Sequence, residues 1–287
     1  MLNTRAIRRK IGTVENVKKI TTAMQMVAAA RLRRMQSRVA SGRPYAEGIR
    51  EVTQRVVGGC PRVSHPLLAQ REPVERLCLC VAGSARGLCG SFNPNLFREV
   101  ERFLGSLQAK VVVVTLGRKA RQYFRRRGHP TAAAYDDISG EAPQAAIARV
   151  ARELRSGFEK GEWDELWLAY NAFVSAVRHT PTVVRLLPIT PPREAACGPE
   201  YLFEPPPERL LDWLLPRYFE TVFYHALLES SASEHGARAM AMRIATDNAE
   251  EMLERLQTSY HKTRQALITK ELLEVVGSGE ALRAQTG

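Results

Sequence analysis

The 287-residue chain has no run of about 18 uncharged apolar residues, the length a helix needs to cross a bilayer, so no membrane span is predicted. Its first residues hold neither an apolar core segment nor a small-residue cleavage site, and a signal peptide is not expected. Cysteine is sparse and odd in number: Cys60, Cys78, Cys80, Cys89 and Cys197. The odd count argues for a reducing, cytosolic compartment. Cys78 and Cys80 alternate along an expected strand with no second Cys/His pair to complete a metal site, which reads as two small core side chains. Acids are fewer than bases, 30 against 42, and the net charge is +12. Nucleic acid, an anionic membrane surface and an acidic protein partner all fit that excess, and charge alone does not choose among them.

Catalytic and nucleotide-binding signatures are missing as well. The stretch GSARGLCG, Gly83 to Gly90, follows an expected strand and precedes an expected helix. Its spacing, Gly83-x3-Gly87-x2-Gly90, is neither G-x-G-x-x-G nor G-x4-G-K-[ST], and no Lys-Ser/Thr pair follows Gly90. The six histidines are scattered; His225 and His235 read as helix-surface or satisfied residues rather than ligands. Asp136 and Asp137 form a loop pair with no metal spacing around them. For nucleic acid only the charge speaks: there is no recognised module and no aromatic interleaving among the basic residues. No internal repeat is evident.

Helical periodicity dominates both ends. From Asn3 to about Val57, Ile7, Ile11, Val14, Val17, Ile20, Met24, Val27 and Leu32 recur mostly three and four apart. Asn3 or Thr4 can cap the start. Within KKITTAMQMVAAARLRRMQ, Lys18 to Gln36, small residues (Ala28, Ala29, Ala30) would let another backbone come close, and basic residues flank the apolar stripe. Pro44 predicts a kink or break costing about 3 kcal/mol unless packing compensates. Gly58 to Pro73 reads as a connector. Strands are expected at Leu77–Val81, Lys110–Leu116, Glu165–Phe173 and Thr182–Leu187. Helices are expected at Asn93–Leu107 (Asn93 as N-cap, Pro94 first in the helix), Arg118–Arg127 and Ala142–Lys160. KVVVVTL is continuously apolar, as in a sheet covered on both faces. Ile189 to Leu210 is Pro-rich and loop-like, and a second helical pattern runs from Glu208 to about Val276, with Pro216 near its start.

At 1.5 Å per residue the two end helices would measure about 80 and about 100 Å. A globule of this chain length has a radius of gyration of about 19 Å. Helices of that length must project, and two apolar stripes would wrap on each other. The expected fold is therefore a long antiparallel coiled coil of N- and C-terminal helices (1–57 and 208–287) with an inserted Rossmann-like doubly wound α/β domain (74–190). The coil's outer surface is expected to carry Met24, Met26, Ala30 and Met35 beside basic residues. That surface is either an ordinary solvated face or an apolar one that docks within a partner.

Three stretches, in order, resemble the γ-subunit family of F-type ATP synthase. IRRKIGTVENVKKITTAMQMVAAARLRRMQSR is similar to its N-terminal helix and SARGLCGSFN to its central loop. SASEHGARAMAMRIATDNAEEMLERLQTSYHKTRQALITKELLEVVGSG is similar to its C-terminal helix. The resemblance implies a rotor shaft that couples proton flow through the c ring, by rotation, to ATP synthesis or hydrolysis at the catalytic sites of an α/β hexamer. It implies no catalytic residue, cofactor, metal or small-molecule substrate of the chain's own, and no nucleic acid. Partners would be the α, β, δ/ε and c-ring subunits. The chain would sit peripherally, through the c ring, on the cytoplasmic face of the bacterial inner membrane. Contacts with β are implied for Met24, Met26 and Arg31 on the first helix and for Arg86, Gly87, Leu88 and Cys89 in the loop. On the last helix they are implied for Arg238, Gln265, Thr269 and Glu271. Tyr201 and Glu204 would lie at the foot, near ε and the c ring. Thr22, Ala85 and Lys270 stand where the family often has lysine, aspartate and glutamine. The chain has no inserted Cys pair like that of chloroplast members, so thiol regulation of that kind is not expected. From the residues alone, a basic helical scaffold or nucleic-acid-binding protein is the remaining alternative.

Overall fold

A computed structural model describes residues 4–59, 64–139, 141–190 and 204–286. The chain divides into two compact units, one from Met1–Val27 with Met240–Gly287, the other from Ala28–Ala239. Two long helices contribute to both: α1, Thr4–Gly59, and α5, Pro207–Thr286.

Pro44 lies inside α1 without ending it, so the break that its missing N–H suggested does not occur. Buried Val39 and Ile49 on either side anchor the helix by packing. Pro216 is likewise inside α5, among Leu214, Leu215 and Phe219, which are 3, 0 and 1 % exposed.

The larger unit is built on a five-stranded sheet: β1 Arg76–Ala82, β2 Lys110–Leu116, β3 Thr131–Tyr135, β4 Glu165–Phe173 and β5 His179–Leu187. Its order is β3-β2-β1-β4-β5; β5 alone runs antiparallel, against β4. Helices α2 (Phe92–Gly105), α3 (Arg118–Arg127) and α4 (Gln144–Glu159) connect the strands. Central β1 is buried from Leu77 to Ala82, and its alternation splits the core in two. Leu77, Leu79 and Val81 pack with Leu96, Phe97 and Val100 of α2 and Phe124 of α3. Cys78 and Cys80 face the other way, with Val150, Leu154 and Phe158 of α4, Ile49 and Val56 of α1, and Phe219 and Phe223 of α5. Both faces are covered, the doubly wound arrangement expected. Phe92, Phe124, Phe158, Phe219 and Phe223 are among the largest fully buried side chains; burying each contributes about 1.5–3 kcal/mol.

Two local expectations change. β3, the sequence TAAAY, was not anticipated. Alanine has little strand preference, and the edge position beside β2 supplies what propensity does not. Asn93 does not cap α2, which starts at Phe92 after Ser91. Its side chain is used in the loop described below.

In the smaller unit the helices pair antiparallel: Lys18 Nζ meets Glu250 Oε1 at 2.8 Å, and Thr246 donates to Thr21 Oγ1 at 2.8 Å. Ile7, Thr21, Met242, Ala249 and Leu253 are buried there. Carrying that register to the start of α1 puts Thr4 opposite a point near Thr263. The rest of α5 outruns its partner, and Leu272, Leu273, Val275 and Val276 are 58–69 % exposed.

Candidate partner-contact sites

The loop that follows β1 is shaped by two close backbone approaches. The Gly83 amide donates to the Leu116 carbonyl at 2.9 Å, and a Cβ on Gly83 would lie 2.9 Å from that of Ala120 in α3. Gly117, at φ +85°, leaves room for only 2.4 Å between a would-be Cβ and the Gly83 oxygen. Glycine is required at both places.

Asn93 then fixes the loop's path. Its Oδ1 accepts from the Ser84 amide at 3.0 Å, and its Nδ2 donates to Ser84 Oγ at 2.7 Å. Ser84 Oγ in turn donates to the Arg86 carbonyl at 2.7 Å. A phosphate cradle turns such amides toward an anion; here the Ser84 amide is already bonded within the chain. Cys89 is 3 % exposed, and burial pushes its thiol pKa up. Leu88 is 60 % exposed at φ +61°, a strained conformation for a residue with a Cβ. The loop therefore presents Arg86 and Leu88 and buries Cys89.

Arg238 of α5 reaches this loop. Its Nε and Nη2 donate to the Gly87 carbonyl at 3.3 Å, and Nη2 also to the Arg86 carbonyl at 3.3 Å and to Glu234 Oε1 at 2.6 Å. Glu234 and Arg238 are both nearly buried. Burial drives the Glu234 carboxyl pKa up, while Arg238 pulls it down. Behind Arg238 stands His235, 3 % exposed, with Nδ1 3.3 Å from Arg238 Nη1 and Nε2 3.0 Å from Glu141 Oε1. Glu141 Oε2 accepts from Arg31 Nη1 at 3.1 Å. The structure thus brings Arg31, Arg86, Gly87 and Arg238, four of the expected contact residues, into one chain of bonds through Glu141, Glu234 and His235. Sequence reasoning missed Glu141, Glu234 and the role of Asn93, and read His235 only as a helix-surface or satisfied residue. The Glu234-x3-Arg238 spacing signals an ion pair on a helix. Nothing local signals Glu141, 94 positions from His235.

On the smaller unit Met26 is 67 % exposed and Met24 half-buried. Val17, Ile20 and Val27, read above as part of the packing stripe, are instead 46, 59 and 55 % exposed. Gln265, Thr269 and Glu271 are exposed on the part of α5 that outruns α1. Met35, expected outside, is 1 % exposed and packs with Leu32, Val39, Leu228 and Ala232. Helical period places it on a face but cannot say that α5 covers that face. Glu204 is exposed; Tyr201 lies outside the described residues, as do Cys60 and Cys197. Among the described residues no helix is long and apolar enough to cross a membrane, and no group of His, Cys, Asp and Glu has the arrangement of a metal site.

Comparison with known proteins gives one consistent result. The family model for ATP synthase matches residues 3–282. An ATP synthase gamma chain from Desulfitobacterium hafniense is 43 % identical over 282 residues, covering 98 % of this chain and 100 % of that one. A chain in the cryo-EM structure of the central stalk and c-ring of the Tetrahymena thermophila mitochondrial ATP synthase is 28 % identical, with a TM-score of 0.59. The match covers 79 % of this chain and 99 % of that one. A chain from the Euglena gracilis mitochondrial ATP synthase shares the fold at 20 % identity and a TM-score of 0.69, covering 99 % of this chain and 96 % of that one.

Proposed function

We infer the role of this chain from its family: it belongs to the ATP synthase gamma chains. Its role is that of the central stalk of an F-type ATP synthase. The single observation that carries this is the match of nearly the whole chain, end to end, to a gamma chain at 43 % identity.

Beyond that, we propose that the chain turns as a rotor. It couples ion flow through a c ring to catalytic sites on β, and has no catalytic residue itself. The paired parts of α1 and α5 enter an α/β hexamer. Several exposed side chains support this reading. Met26, Val27 and Ile20, with Leu272 and Leu273 further along α5, are apolar and uncovered in the lone chain. Isolated exposed apolar residues are ordinary, but several of them along each of two helices support a docking surface. Met24, Met26, Gln265, Thr269 and Glu271 act as direct contacts with β. Arg86 and Leu88 do so from the loop, which Arg31, Gly87, Cys89 and Arg238 help to hold. Tyr201 and Glu204 belong to the foot, toward ε and the c ring, where the chain is held peripherally on the cytoplasmic face of the membrane. The net charge of +12 suits acidic protein partners.

Affinity purification of the tagged chain from its own membranes tests this. The α, β, ε and c subunits should come with it, together with ATP hydrolysis, and nuclease treatment should remove nothing. Recovery with nucleic acid and without the hexamer contradicts the reading.

A further inference from the structure

Four segments are linked through the bonds that His235 makes to Glu141 and Arg238. α1 sends Arg31, the turn ahead of α4 sends Glu141, α5 carries Glu234 and Arg238, and the loop after β1 offers the Arg86 and Gly87 carbonyls. A guanidinium has only donors, so Arg238 Nη1 needs a lone pair on His235 Nδ1. The proton of the neutral ring then sits on Nε2 and donates to Glu141. A second proton, on Nδ1, would set N–H against N–H and place a positive charge beside Arg238. The carbonyl that Arg238 grips is that of Gly87, in the peptide just ahead of Leu88. Holding that oxygen fixes the peptide plane on which the strained φ of Leu88 depends.

We propose that His235 and Glu141 are positioning residues. With its ring neutral, His235 holds Arg238 on the Gly87 and Arg86 carbonyls and so sets the exposed loop around Leu88; protonation of His235 releases Arg238 and loosens the loop. That the loop meets a partner rests on the functional reading above; the positioning does not. Burial is the first influence on the ring and lowers its pKa, Arg238 and Arg31 act in the same direction, and Glu141 opposes them. The ring is therefore neutral at neutral pH and takes its proton on acidification.

Hydrogen exchange of the full-length chain across residues 84–92 tests the proposal. This segment includes the Ser84 and Phe92 amides, which are bonded to Asn93 Oδ1 and the Cys89 carbonyl. Protection, corrected for the intrinsic effect of pH on exchange, should fall about tenfold or more as pH is lowered from about 7.5 through the acid range below the ordinary histidine value, to about pH 4. His235→Gln keeps a donor and an acceptor but no titration, and should stay protected throughout. Arg238→Gln should show low protection at every pH. A flat profile in the parent overturns the proposal, and so does full protection in Arg238→Gln. A step that survives in His235→Gln assigns the release to another titrating group and overturns it too. Proton pumping per ATP by the assembled complex, measured over the same pH range, separates the two ideas. An exchange step with pH-independent pumping upholds the positioning and removes the loop from the partner contacts.

Discussion

Single residues carry more of the loop than its glycine pattern suggested. Asn93→Ala removes the acceptor of the buried Ser84 amide and the donor to Ser84 Oγ. Leaving a buried group unsatisfied costs about 1–3 kcal/mol, which the urea midpoint should report. Gly117→Ala should be at least as harmful, because a Cβ would meet the Gly83 oxygen at 2.4 Å and the backbone conformation adds about 1–3 kcal/mol. Acid should weaken the fold through three histidines. Burial holds His65, His179 and His235 below their ordinary 6.5. Below pH 6.5 the unfolded chain takes up these protons first, so stability present above 6.5 is lost as pH falls through each lowered value. A urea-midpoint series against pH should show the decline, and His65→Gln should make it shallower. An unchanged slope in that variant contradicts the assignment of His65. The cysteines were legible from alternation alone: Cys78 and Cys80 are fully buried, and burial pushes the Cys78 thiol to about 12. Asn93 was not legible. Asn-Pro at a helix start has the same spelling whether the side chain caps the helix or reaches back to a loop.

At the scale of elements, legibility followed how strongly each segment specified itself. KVVVVTL, ELWLAYNAF and the basic α3 were read at their observed bounds, because continuous apolarity and amphipathic period leave few alternatives. β3 depends on its neighbour, and Pro44 is tolerated through packing on both sides, so neither could be read locally. The long helices were legible as helices, but not the residues each would cover. Met35 is buried and Val17, Ile20 and Val27 are not, since one periodic stripe served two differently packed stretches. The end of α5 makes its own prediction. Leu272→Gln with Leu273→Gln changes residues 61 and 68 % exposed. Unfolding free energy should move by no more than about 0.5 kcal/mol. Self-association of the isolated chain, followed by light scattering, should fall, and incorporation into the complex should weaken. A large loss of stability would mean that this segment packs within the chain.

For the whole molecule, function lies in what the chain transmits. Met24, half-buried on α1, is one of the residues proposed above to meet β. Met24→Lys adds a positive charge there, and an extra attraction of about 1–3 kcal/mol at one orientation would slow departure from it by about 5- to 150-fold. Inverted membranes carrying the variant should hydrolyse ATP yet acidify poorly. Normal pumping per ATP removes Met24 from that contact. Replacing Arg238 with a neutral residue should partly restore coupling, but the bonds from Arg238 to Gly87 and Glu234 mean that it also frees the loop.

The central claim is rotation, and a bead tethered to this chain tests it most directly. A cysteine introduced at Val177, 69 % exposed in the turn between β4 and β5, gives an attachment point, with the α/β hexamer fixed to a surface. On addition of ATP the bead should turn in one direction, pausing at thirds of a turn set by three catalytic sites. A bead that stays still while the same complexes hydrolyse ATP would contradict the account.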